Sequence, residues 1–212
     1  MEFHLLYSGP LHSAGSEGQR QEKHAIRKLF HPQLRHLWEF HPNLRELAEG
    51  TGHTPRPLGV SNEEVARARV SDFENGLRIM GRNWNRATFN FLPLVTKEAR
   101  LRCGLDILFL RAEEKNYVLQ GGDIDGRIKV LFDALRIVRE AHELPPGEQP
   151  ESTEDPFFCL LEDDELISEV HINTDRLLNL PEHREIEKAD VYLQITVRLN
   201  TTVRNAHTWV FE

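Results

Sequence analysis

Leu101-Arg102-Cys103-Gly104-Leu105-Asp106-Ile107-Leu108-Phe109-Leu110 is followed a little further on by Gly121-Gly122-Asp123-Ile124-Asp125-Gly126-Arg127-Ile128-Lys129-Val130-Leu131-Phe132-Asp133-Ala134-Leu135. Two periods meet in that stretch. In the first part Leu101, Cys103, Leu105, Ile107 and Phe109 alternate, which puts them on one face of a strand. In the second, from about Gly126 to Ala141, Ile128, Leu131, Leu135 and Val138 fall on one helical stripe. A polar turn, Glu113-Glu114-Lys115-Asn116, separates them. A period of two that gives way to a period of 3.6 predicts an α+β domain, a mixed β-sheet packed by helices.

Working outward, residues 3–7 read as a short strand closed by Ser8-Gly9-Pro10, and residues 11–19 as a Ser/Gly-rich loop. Residues 20–49 are helical, interrupted at Pro32 and Pro42. A Gly/Pro-rich loop runs from Thr51 to Gly59, and Ser61 or Asn62 caps a short helix over 63–70. Three prolines (Pro145, Pro146, Pro150) and many acids mark 143–155 as a mobile loop. Over 165–173, Leu166, Ser168, Val170 and Ile172 share one side of a strand. Over 190–199, Val191, Leu193, Ile195, Val197 and Leu199 do the same. These last two strands are expected to pair as a hairpin across the loop at 179–188. The 212 residues and 24.6 kDa fit one domain, with a core over about 1–36 and 99–199, an elaboration over 37–98 and an acidic loop over 143–157.

Composition narrows the class. The chain is 39% hydrophobic and 28% charged, which suits a globular protein and not a disordered one. No apolar run approaches the roughly 20 residues that span a bilayer. Met1 to Tyr7 lacks a basic segment and a long apolar run, so no signal peptide is expected. Cys103 and Cys159 are the two cysteines, without the C-x-x-C spacing of a zinc site, and a reducing cytoplasm fits them.

The charge is unevenly placed. Residues 139–170 hold eleven acids and one base, Arg139, for −10, so with a net charge of −8 the rest of the chain carries +2. Residues 20–36 are locally basic through Arg20, Lys23, Arg27, Lys28 and Arg35. Residues 78–102 are basic through Arg78, Arg82, Arg86, Lys97, Arg100 and Arg102. Such runs are solvated faces or phosphate contacts. Trp84 lies between Arg82 and Arg86, where a ring flanked by bases suits a stacked base as well as a core anchor.

Asp123 and Asp125 are two apart, so on an extended backbone both carboxylates point to one side. Asp125, Lys129 and Asp133 are four apart and form a stripe on a helix, away from the apolar face. Downstream, Glu162-Asp163-Asp164-Glu165 forms an acid cluster at the lip of a strand. Clustered carboxylates repel unless a cation neutralises them. Mg²⁺, with Mn²⁺ as a substitute, prefers such oxygen donors. A site of this kind holds a phosphate and activates water against it, and Lys129 is placed to stabilise charge on that phosphate. An EF-hand is excluded because Arg127 and Ile128 stand where its loop needs an oxygen ligand and a glycine, and no Walker A loop occurs. His31, His36 and His41 are five apart, which does not stack metal ligands on one helical face. His171 sits on the strand after Asp164, where packing is its expected role.

The pattern D-x-D-x-x-x-K-x-x-x-D-A-L from Asp123 to Leu135, followed by Asp163-Asp164, resembles the RusA family of Holliday junction resolvases. These are small dimeric Mg²⁺-dependent endodeoxyribonucleases of bacteria and phages. The resemblance covers about residues 101–199. It implies that Asp123, Asp125 and Asp164 bind the metal, that Lys129 is the catalytic lysine, and that Asp133 and Asp163 are accessory acids. Gly126 stands where the family usually has Asn, and about twenty residues replace the family's short link between the helix and the acid pair. The implied function is a hydrolase that cuts branched DNA in recombination and repair, acting as a homodimer in the cytoplasm of a bacterial or phage-infected cell, away from membranes. Arg20, Lys23, Arg27, Lys28, Arg82, Trp84, Arg86 and Arg127 are the expected DNA contacts. The alternative is a RusA-like module without catalysis that binds DNA or protein, its acidic loop mimicking DNA or covering the cleft. A hydrolase of small phosphorylated substrates ranks lowest, because no Gly-rich phosphate cradle is visible.

Overall fold

The computed structural model describes residues 1–15, 18–53, 61–112, 123–178 and 185–201. The turn at 113–116, Gly121-Gly122, Trp209, most of the loops at 51–59 and 179–188, and the side chain of Asp123 lie outside that description.

The period-two stretch forms β4 (Leu101–Arg111), and its alternating set, Leu101, Cys103, Leu105, Ile107 and Phe109, is almost wholly buried. With β1 (Glu2–Pro10), β6 (Ile167–Arg176) and β7 (Asp190–Thr201) it makes a four-stranded mixed sheet in the order β1-β7-β4-β6. β7 is antiparallel to both β1 and β4, whereas β6 runs parallel to β4. The expected hairpin between the last two strands is therefore wrong, since β4 lies between them. Alternation assigns a strand its inward face and does not choose its neighbours. β4 brings a continuous apolar face and takes the centre. β6 has exposed side chains nearly throughout, Val170 and Ile172 included, and takes an edge.

A parallel pair needs a long crossover. Here it contains α4 (Asp123–Leu135) and β5 (Phe157–Leu161). β5 pairs parallel with β3 (Phe89–Val95), which pairs antiparallel with β2 (Trp84–Arg86), giving a second sheet. These three strands carry little alternation, and β3 and β5 are buried almost throughout, so the period-two test missed them. The architecture is α+β, two mixed sheets joined by helices.

α1 (Gln19–Phe40) passes through Pro32 without a break, contrary to the sequence reading. An interior proline costs about 3 kcal/mol. Ile26, Phe30, Leu34 and Trp38 are spaced by four and lie in the core on both sides of it. Each contributes roughly 1.5–3 kcal/mol on burial, so packing wins. α2 (Pro42–Thr51) starts at the second proline as expected. α3 (Asn62–Gly81) is longer than predicted and opens with a capping box, Ser61 with Glu64. Gly76 lets α3 approach α2, because a Cβ there would stand 1.9 Å from the Ala48 carbonyl oxygen.

The acidic segment is not the mobile loop the sequence suggested. It starts with a 3₁₀ turn at Ala141–Glu143 and is strapped along α1. Lys28 reaches Glu148 at 2.8 Å and Glu151 and Glu154 at 3.5 Å. His24 lies 3.3 Å from Glu148. The His31 ring accepts from Phe158 N–H at 2.9 Å through Nδ1, so its Nε2 donates to the Thr153 carbonyl at 3.1 Å. The negative segment thus lies on the positive helix.

Candidate functional site

α4 begins at Asp123, so the extended backbone that would have aligned Asp123 with Asp125 is not present. Ile128, Leu131 and Leu135 are buried as the stripe predicts. Val138 is also buried but lies past the helix, which stops at Leu135 and continues as an extended run beside β5, Ile137 N–H donating to Leu161 O at 2.9 Å. Asp125 and Lys129 are exposed. Gly126 faces the loop after β1: a Cβ there would meet Ser13 Oγ at 2.1 Å and Ala14 N at 3.1 Å. A side chain at this position would force that loop to move.

Asp133 holds the helix down. One carboxylate oxygen accepts from Lys23 at 2.6 Å and the other from Arg136 at 2.9 Å. Burial pushes its pKa up, but these two cations outweigh burial and hold the carboxyl below its usual range. Arg27, 1% exposed, donates to the Asp133 carbonyl at 2.6 Å and the Arg136 carbonyl at 3.1 Å. It satisfies carbonyls that the end of α4 would leave orphaned.

The acid cluster follows β5. Asp163 caps a 3₁₀ turn at Asp164–Leu166, accepting from Glu165 N–H at 3.1 Å. Arg139 spans the pair, 3.1 Å from Asp163 and 2.8 Å from Asp164. The two carboxyls are driven apart. Asp163 drops to about 2, burial being outweighed by the Glu165 amide and Arg139, whereas burial and the neighbouring Asp163 raise Asp164. Arg139 is the lone base of the acidic segment, and that isolation was the one sequence signal of its role.

A cleft of about 630 Å³ lies beside this pair, lined by Arg20, Lys23, Lys129, Asp133, Arg136 and Arg139 among others. Gly18, at φ 79°, starts α1 there, so the positive end of a 22-residue helix faces the same space. The structure brings Lys129, Asp133 and the base next to Asp163-Asp164 to one cleft. It does not bring the acids into one cluster: among the described residues, no three His, Cys, Asp or Glu side chains stand together as metal ligands. The available donors still suit Mg²⁺. The ion commonly takes one or two carboxylates and completes its shell with water and substrate phosphate, and Asp164 and Asp125 are accessible oxygen donors.

Several expected DNA contacts are placed elsewhere. Arg27 and Arg127 are buried, the latter at 4% exposure. Lys28 is covered by the acidic strap and Lys23 is paired with Asp133. Trp84 is half-buried and packs against buried apolar side chains of the core, which makes it an anchor and not a free stacking surface. Arg20 and Arg82 are exposed, and Arg86 donates to the Asn85 carbonyl at 2.8 Å. His171 pairs with Glu169 at 3.1 Å on the sheet's outer face. Both cysteines are buried and free. No family model, curated protein or solved structure matches the chain. Among the described residues, no helix is long and apolar enough to cross a membrane.

Proposed function

We propose that this protein is a Mg²⁺-dependent, RusA-like endodeoxyribonuclease that cuts branched DNA, Holliday junctions foremost, as a homodimer in the cytoplasm of a bacterial or phage-infected cell. The observation that carries the reading is the Asp163-Asp164 turn standing beside a cationic cleft that contains Lys129. A metal held by Asp125 and Asp164 would supply Lewis-acid activation of water. The chain's own groups do the rest. Lys129, exposed in the cleft, meets the negative charge that grows on a phosphate as water attacks phosphorus and a P–O ester bond breaks. Arg20 and the first turn of α1 attract and orient the backbone. Asp133 keeps Lys23 in place at the cleft wall.

The test is cleavage of a labelled synthetic four-way junction in Mg²⁺, beside linear, flapped and single-stranded DNA of the same sequence. Paired symmetric nicks confined to the junction are expected. Asp125→Asn is expected to lower the rate at least about 100-fold while junction binding persists. Unchanged cleavage by that variant would sink the site assignment.

A second reading has one observation in its favour. The acidic strap already occupies Lys28 of α1 with three carboxylates, as a DNA mimic would. On this reading the chain is a RusA-like module without catalysis, and it shows no cleavage of any DNA form while folded and bound to Mg²⁺.

A further inference from the structure

Arg139 stands on the run that leaves α4 and passes beside β5. Arg136 bridges to Leu161 there, and Ile137 N–H donates to the Leu161 carbonyl at 2.9 Å. Leu161 is the last residue of β5, so the strand that leads into the acid turn also holds Arg139 next to it. The guanidinium is divided between two carboxylates. Nε and Nη2 donate to Asp163 at 3.3 and 3.1 Å, and Nη2 also donates to Asp164 at 2.8 Å. Asp163 is fixed a second time, by the Glu165 N–H at 3.1 Å. Among the described residues, Arg139 is the one ion-pair partner of Asp164.

Other charges act on this contact. Glu143 acts on Arg139, and Asp163 and Arg136 act on Asp164. Arg136 is already engaged, with Asp133 at 2.9 Å and Glu143 at 3.0 Å. Without Arg139, two neighbouring carboxylates would stand side by side with no cation in contact, an arrangement that repels. Exposure separates the two arginines of the cleft. The side chains of Arg136 and Asp133 are 5% and 14% exposed, whereas those of Arg139 and Asp164 are 52% and 36% exposed. The first pair is a buried tie. The second is open to water, where an ion pair adds little and exchanges readily. A doubly charged ion that prefers oxygen donors competes well there against one singly charged guanidinium.

We propose that Arg139 is the placeholder for the cation at Asp164. It neutralises the acid turn while the ion is away. It yields Asp164 when the ion arrives and keeps its two contacts to Asp163, so only the 2.8 Å contact has to break. The inference rests on the metal-dependent reading above and adds a positioning residue to it. Arg139 acts through Asp164 and not on the substrate.

The experiment is a titration of the full chain with Mn²⁺ at neutral pH, without DNA, with free Mn²⁺ read by electron paramagnetic resonance. Arg139→Gln is expected to bind the ion about threefold more tightly than wild type, because nothing competes for Asp164. Arg139→Lys keeps a charge without the fork across two carboxylates and is expected to fall between the two. Arg20→Gln removes another exposed charge of the same cleft and is expected to change the affinity by less than about 1.5-fold, since salt screens it. The melting temperature of Arg139→Gln without the ion is expected to fall, and Mn²⁺ to raise it by more than it raises that of wild type. A side chain that merely braces the turn gives the opposite sign, losing ion affinity when removed. Should Arg139→Gln fail to fold without the ion, Arg139→Lys carries the same test.

Equal or weaker Mn²⁺ binding by the Arg139 variants would overturn the placeholder. Equal tightening by Arg20→Gln would do so too, by assigning the effect to the general field of the cleft. Either result leaves the nuclease reading standing if wild type cuts the junction in Mg²⁺. Tightening by Arg139→Gln that Asp164→Asn abolishes, in a chain that cuts no DNA, supports the placeholder and overturns the nuclease. No Mn²⁺ bound by wild type or variants overturns both.

Discussion

Arg27 looks in the sequence like one more base on a basic helix, yet it sits in the core and donates to two carbonyls at the end of α4. Its replacement by Met would keep bulk and strand those carbonyls. Each hydrogen bond to a charged group contributes roughly 1.5–3 kcal/mol, partly offset by relief from burying a charge. Arg27→Met is therefore expected to lower unfolding free energy by about 3 kcal/mol, read from the urea midpoint. A midpoint equal to wild type would mean that the two terms cancel. Arg127 teaches the same lesson, buried two residues after the exposed Asp125. Lys129, one turn on, stays exposed because the helix turns it away from the Ile128–Leu131–Leu135 face.

At the scale of elements, the acidic strap is held to α1 by charges and by two buried imidazoles. Burial lowers the pKa of His24, against Glu148 and alongside Arg27 and Lys28. It lowers that of His31 as well, against the Thr153 carbonyl and Glu154 and alongside Arg35 and Lys28. The unfolded chain therefore binds more protons than the folded one near and below the ordinary histidine pKa of about 6.5, so stability falls as pH falls through that value. Thermal melts between pH 7.5 and 5.5 are expected to show a falling midpoint, with proteolysis of the 140–156 segment rising in step. A flat profile would show that the imidazoles are solvated. The carboxyls of Asp133 and Asp163 act lower down. Both are held below their usual range, so their contribution persists through this window and is lost only in stronger acid.

On the scale of the whole molecule, a cationic cleft lies beside the acid turn, although the chain as a whole carries −8. Net charge is thus a poor guide to the local field, because charges of both signs are unevenly placed, with Glu148, Glu151 and Glu154 gathered around Lys28. The proposed cutting of a symmetric junction at two related points calls for two sites. Sedimentation of the full chain is expected to give a particle of twice 24.6 kDa. A monomer that nonetheless makes paired nicks would separate the chemistry from the assembly.

The sequence by itself determined the α+β class, β1, β4, β7, the apolar face of α4 and the Asp125–Lys129–Asp133 spacing. Each of these is written in a local period, and burial of one face follows from it. Tertiary structure alone decided that β4 separates β6 from β7, that β3 and β5 form a second sheet, that α1 runs through Pro32, and that the acidic segment is a strap. It also decided which bases are available. Lys23 and Asp133 are 110 residues apart and Arg27 and Arg136 are 109 apart. Such pairs depend on how packed elements bring distant positions together, and no local period records that distance.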